Sequence, residues 1–160
     1  MDISGRAKMY FYRRLKEAGK VKTLLQFYLQ YLSFLYLDPR YHITDSTTSG
    51  NPTINASLTM TGPLLIWHIS NDRGQIGFTF APTKLAAQPD NWFRASLIRQ
   101  YLDGYDETNT VSPEAMVGWI RDNADRIEGL FDDARAAQSC EALLNLAKSL
   151  ANKYFGAAGE

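Results

Sequence analysis

The residues of this chain that could do chemistry are few and scattered. Two histidines, His42 and His68, and one cysteine, Cys140, are all the soft or imidazole ligands it has. Structural and catalytic zinc sites draw three or four such ligands, so thiolate clusters are excluded and a histidine-rich centre is too. His68 with Asp45 and Asp72 is a set that strand pairing could assemble, but nothing in the spacing requires it. A sheet histidine held by a hydrogen bond is the expected role for His68. A lone thiol becomes reactive when a cation or an imidazole lowers its pKa, and the sequence places neither beside Cys140. Cys140 is expected to be a small buried side chain. No nucleophile elbow, phosphate loop or dinucleotide-binding glycine pattern occurs. The expectation is therefore a chain with no catalytic residue, no metal and no cofactor, the alternative being a ligand-binding or enzymatic α+β domain with a pocket between sheet and helices.

Charge is the more informative feature. The 160 residues carry 17 Lys and Arg against 17 Asp and Glu, for a formal net charge of zero. That balance argues against a general affinity for nucleic acid or for an anionic membrane. The charges are nevertheless segregated. From Asp103 to Asp133 there are nine acids and only two bases, Arg121 and Arg126. Asp103, Asp106, Glu107, Glu114, Asp122 and Asp125, with Trp119 as an aromatic anchor, form the candidate partner-binding face. Such a face suits a protein that occludes a basic toxin or effector, as immunity and inhibitor proteins do. A merely solvated acidic helix is the plainer alternative for each single residue. At the other end, Arg6, Lys8, Arg13, Arg14 and Lys16 surround Tyr10, Phe11 and Tyr12, a mixture able to track a nucleic-acid backbone. Helix docking through the aromatic residues explains the same pattern.

The elements that must position these residues are legible from hydrophobic periodicity. Thr53 to Thr61 alternates strictly, with Ile54, Ala56, Leu58 and Met60 apolar. A period of two gives a strand with one core face and one wet face. Gly62-Pro63 breaks it, and Leu64 to Ile69 follows with both faces largely apolar. Asn71-Asp72-Arg73-Gly74 has hairpin chemistry, and Gln75 to Phe80 alternates again. Tyr41 to Asp45 adds a fourth strand. Short connections between alternating strands make an antiparallel meander.

Helices flank this sheet. Arg6 to Ala18 has helical spacing. Thr23 to Leu37 is apolar nearly all round, with only Gln26, Gln30 and Ser33 polar between Leu24 and Leu37, and is expected to be one helix buried on several sides. Asp38-Pro39 ends it. After a proline-containing linker, a helix over Trp92 to Leu102 is expected, capped by Asp90 or Asn91 and stopped at Gly104. Ser112-Pro113-Glu114 starts the next, which runs to Phe131. The last begins near Ser139, with Tyr154 and Phe155 facing inward, and ends at Gly156. The expected architecture is a single α+β domain over residues 1–160: N-terminal helices, a four-stranded antiparallel meander and three C-terminal helices. No segment reaches the ~20 apolar residues of a membrane span. The lone cysteine needs no oxidising compartment, so a cytoplasmic location and a protein partner are the expectations.

Overall fold

The computed structural model describes residues 23–49 and 55–156. The basic segment Arg6–Lys22, Thr53 and Ile54 at the start of the expected second strand, and the end of the chain beyond Gly156 lie outside the described residues. The architecture is α+β, with an antiparallel sheet and helices on both sides of it in sequence. Among the described residues helices α1 (Leu24–Tyr31) and α2 (Ser33–Leu37) come first. Strands β1 (His42–Thr48), β2 (Asn55–Thr61), β3 (Leu65–Asp72) and β4 (Gln75–Pro82) follow. Two 3-10 turns lead to β5 (Phe93–Arg94), and then come α3 (Ala95–Asp103), α4 (Pro113–Asp122), α5 (Ala124–Leu130) and α6 (Ala136–Phe155).

The sheet has five strands in the order β1-β2-β3-β4-β5, each pair antiparallel. The meander expected from the alternation is present, with one more strand than four. The extra strand is two residues long, and so short a run has no period to detect. It shortens the expected helix at Trp92, because Phe93 and Arg94 pair with Phe80 and Thr79 and the helix starts at Ala95. Arg94 takes the capping position and makes no side-chain cap. Asn91 does not cap the helix either. It is buried, and its amide donates to the Leu85 carbonyl at 3.1 Å and to Gln88 Oε1 at 3.2 Å, fixing the 3-10 turns.

Register decides which side chains form the core. Met60 stands opposite Trp67, and Trp67 opposite Phe80; Leu58, Ile69 and Phe78 are matched in the same way. Residues directly opposite share a face, so these form one apolar surface, and α1 and α2 cover it. The Phe27 ring lies 6.0 Å from Phe78, and the Phe34 ring 6.3 Å from Trp67. The Tyr28 hydroxyl reaches the Met60 sulfur at 3.5 Å. From the other half of the chain, Phe131 stacks on Phe93 at 6.2 Å. Each such ring withdrawn from water contributes about 1.5–3 kcal/mol, and aromatic pairing adds about 0.5–1.5 kcal/mol. The opposite face carries Ser57, Thr59, His68, Ser70 and Thr79, all half-buried.

The hairpin between β3 and β4 follows the sequence closely. Arg73 and Gly74 both take positive φ, 51° and 89°, as a two-residue hairpin loop requires. Asn71 Oδ1 accepts from the Gly74 N–H at 2.9 Å.

The helices depart from expectation in four places. The expected helix over Thr23 to Leu37 is two, because the backbone leaves helical geometry at Leu32, which is itself fully buried. Thr23 and Gln26 form a capping box at its start, so Gln26 serves the helix end. The outer side of the pair is not buried: Leu25, Leu29, Tyr36 and Leu37 are exposed together with Gln26, Gln30 and Ser33. The expected helix from Ser112 to Phe131 also divides, at Asn123, into α4 and α5, which makes four helices after the sheet where three were expected. The Ser112 hydroxyl caps α4 as its sequence demands, accepting from the Ala115 N–H at 3.2 Å. Helix α6 begins at Ala136, and Tyr154 and Phe155 at its far end are exposed instead of inward.

Candidate functional site: a carboxylate-rich layer and a cleft beside the sheet edge

The acidic stretch belongs to α3, α4, α5 and their connections, and most of its carboxylates are engaged within the molecule. Asp103, at the end of α3, accepts from the Trp119 indole N–H at 2.8 Å and from Arg126 at 2.8 Å. These two donors, the indole first, hold its carboxyl below the usual carboxylate range. Arg126 also reaches the Leu102 carbonyl at 3.0 Å, which closes the end of α3 onto α5. Asp106 caps its own loop, accepting from the Thr108 N–H at 3.0 Å and the Thr108 hydroxyl at 2.7 Å, and its carboxyl is lowered by them. Glu107 is half-buried, and the Ser96 hydroxyl donates to it at 3.5 Å.

Glu128, counted with the acidic stretch, performs a different task. Its two oxygens accept from the Tyr41 hydroxyl at 2.7 Å and from Arg40 at 3.1 Å. The carboxylate thereby ties the residue preceding β1 to α5. Burial, and then the hydrogen bond to Glu128, push the Tyr41 phenol well above its ordinary pKa. Asp132 pairs with Arg135, and Asp133 with Lys84. Asp122 lies 3.7 Å from Arg121 in an exposed, loose contact that contributes little. Glu114 and Asp125 stand exposed in the first turns of α4 and α5, with no ion pair among the described residues.

Trp119 is half-buried and already occupied on two sides. Its N–H goes to Asp103, and the Arg99 guanidinium lies over its ring at 5.5 Å and over Tyr105 at 4.0 Å. A tryptophan so held is a bracket between α3 and α4. Asp103, Asp106, Glu107 and Trp119 hold elements together, while Glu114, Asp122 and Asp125 point to solvent.

The histidine set does not assemble. Register puts Asp45 opposite Thr59 and Thr59 opposite His68, so Asp45 is two strand spacings, ~10 Å, from His68. Asp72 is four residues along β3, ~13 Å away. Among the described residues no group of three His, Cys, Asp or Glu is placed to hold a metal ion. His68 Nδ1 lies 3.2 Å from the Thr59 hydroxyl, with Trp92 packed edge-on at 6.2 Å, the hydrogen-bonded sheet role expected of it. Cys140 is buried, and burial pushes its thiol up, away from reactivity. Gln30 is exposed and donates to the Tyr31 hydroxyl at 3.0 Å.

A cleft of about 320 Å³ lies where β4 outruns β5. Ile76, Gly77 and Phe78 form one wall, Val111, Pro113 and Met116 the other, and Arg94 stands at its end. No motif in the sequence marks these residues. Arg94 separates two elements, and Val111 and Met116 belong to a different helix layer, so only the fold brings them together. A smaller cleft of about 150 Å³ lies between Leu64, Pro82 and Phe131, with the Lys84–Asp133 pair at its rim.

Among the described residues no helix is long and apolar enough to cross a membrane. Compared with protein-family models, with curated proteins and with solved structures, the chain matches none of them.

Proposed function

We propose that this chain works by binding another protein, and that it makes or breaks no covalent bond. The observation that carries the reading is the outer side of the first two helices. Leu25, Leu29, Tyr36 and Leu37 are 59%, 61%, 60% and 75% exposed, four large apolar side chains within 13 residues. Single exposed leucines are ordinary, but a concentration of this kind marks an interaction surface. Leu25 and Leu29 are one helical turn apart on α1 and so share a face.

The concrete form of the proposal is an immunity-like or inhibitor protein whose partner is a basic toxin or effector. Glu114 and Asp125, exposed and without an ion pair among the described residues, and the loosely paired Asp122 would steer such a partner. The apolar side chains would supply the contact. A cytoplasmic location suits this reading, as does a chain with one buried cysteine.

Affinity purification of the full chain from its native host, followed by mass spectrometry and sedimentation, tests it. The expected result is one basic protein in stoichiometric complex. Leu25→Asp with Leu29→Asp should abolish the complex. Glu114→Lys with Asp125→Lys should slow association and flatten its salt dependence. No stoichiometric partner, or a complex indifferent to both pairs, overturns the proposal.

A further inference from the structure

We infer that the cleft beside β4 is a second binding site, and that it takes an extended peptide segment carrying apolar and acidic side chains, which adds to the sheet as a strand. The inference stands apart from the helical surface above and draws on different residues.

The backbone of β4 sets the geometry. In a two-residue hairpin the closing pair, here Asp72 and Gln75, is hydrogen-bonded on both sides. Bonding direction alternates along a strand, so Gln75 and Gly77 face β3 while Ile76 and Phe78 direct their N–H and C=O groups the other way. Strand β5 occupies that side only opposite Thr79 and Phe80. No turn or loop backbone group bonds to Ile76 or Phe78 among the described residues. The lane that β5 begins is thus open beside Ile76, at the start of β4. Unpaired strand edges recruit strands.

The vacant lane has a floor and a far wall. Its apolar lining comes from Ile76, Val111 and Met116, with Ser70, Thr79 and Ser96 beside them. Val111 and Met116 would receive a side chain projecting from the added strand. Gly77 leaves the sheet thin at the point where another backbone must approach. Charge selects the occupant. Arg94 is exposed and makes no ion pair among the described residues, so a carboxylate on the peptide would be its first partner.

Panning a random peptide library against the full chain tests the inference. The expected outcome is enrichment of sequences that alternate apolar and acidic residues. A selected peptide should protect the Ile76 amide from hydrogen exchange and should bind Arg94→Glu at least tenfold more weakly. Ile76→Pro, which deletes an outward N–H at an edge where proline is tolerated, should abolish binding while Leu29→Asp leaves it unchanged. If Ile76→Pro does not fold, Arg94→Glu and the exchange measurement decide alone. Absence of enrichment, or binding that ignores Arg94 and leaves Ile76 unprotected, overturns the inference. So does a dimer of the wild-type chain dissolved by Ile76→Pro, since the occupant would then be a second copy. Loss of the host partner on Leu25→Asp with Leu29→Asp reads out the helical surface separately.

Discussion

The two edges of the sheet are built differently. Strand β1 forms one edge and is exposed at each of its seven residues, yet it is poorly suited to pairing. Its register shifts between Ile43 and Asp45, a bulge that bends the strand, and a charged Asp45 follows at once. Its side chains turn back onto β2: Thr44 meets Thr61 at 2.8 Å and Thr47 meets Ser57 at 2.7 Å. The edge at β4 has no bulge, and no acid adjoins Ile76 along the strand. It is walled by a helix and ends at an arginine. An edge is defended when it faces open solvent and left receptive when the fold restricts what can reach it. The contrast teaches that exposure alone does not identify a working surface.

Substitutions at the two edges should differ in effect, and the largest is expected at the β4–β5 junction. Phe80 is fully buried, stands opposite Phe93 and lies 4.8 Å from the Trp67 ring. Phe80→Ala should cost about 3–5 kcal/mol in denaturant unfolding. The same change should lengthen the open edge by loosening β5, seen as faster hydrogen exchange at the Phe93 amide, which pairs with position 80.

At the defended edge, Gly62 lies against the Tyr41 ring, and a Cβ there would fall 2.8 Å from Tyr41 Cδ1 and Cζ. The obstacle is the body of a buried ring and not the end of a flexible chain. Gly62→Ala should therefore destabilise by about 3 kcal/mol, at the upper end of overpacking, and calorimetry would show it.

Tyr41→Phe removes the bond to Glu128 but leaves that carboxylate with Arg40. A loss of about 1.5 kcal/mol is expected. The pH dependence has a definite sign. The Tyr41 phenol is raised in the folded state, so its contribution is complete below ~10, the ordinary tyrosine pKa, and declines as pH rises above it. Wild type should lose stability in that alkaline range, and Tyr41→Phe should lose less.

On the cleft side, Asp103 holds α3 to Trp119 and Arg126. Asp103→Asn should cost about 1 kcal/mol. Because the Asp103 carboxyl is lowered in the fold, the wild-type advantage is present above ~3.9 and fades as pH falls below it. An acid titration of both proteins followed by tryptophan fluorescence should therefore converge.

The smallest stability effect is expected at β1. Asp45→Val should change stability by no more than about 0.5 kcal/mol. It should nevertheless produce concentration-dependent association in sedimentation, because it removes the charge that guards the edge. If it does not, the bulge alone defends β1.

Much of the fold was legible in the sequence. The alternation from Ala56 to Met60 and from Ile76 to Phe80 specified strands, and Arg73-Gly74 specified the hairpin. Ser112-Pro113 specified a helix start. These are local signals, and each is read over a span the chain itself supplies. The divisions at Leu32 and Asn123 and the two-residue β5 were not legible, because tertiary packing imposes them on segments that retain helical spacing. The acidic layer shows the same limit. Nine carboxylates between Asp103 and Asp133 look alike in sequence, and their spacing says nothing of Arg40, Tyr41 or Lys84, which lie up to 88 residues from their partners.

The periodicities, the turns and the scarcity of metal-ligating and nucleophilic groups follow from residue type and near neighbours, and so are written in the order of amino acids. The tertiary structure alone decided which carboxylates are brackets and which face solvent, which leucines stay outside, and which strand edge stands open beside an arginine. Those outcomes depend on which distant segments are brought within a few ångströms, where hydrogen bonds, ion pairs and exclusion of water take effect.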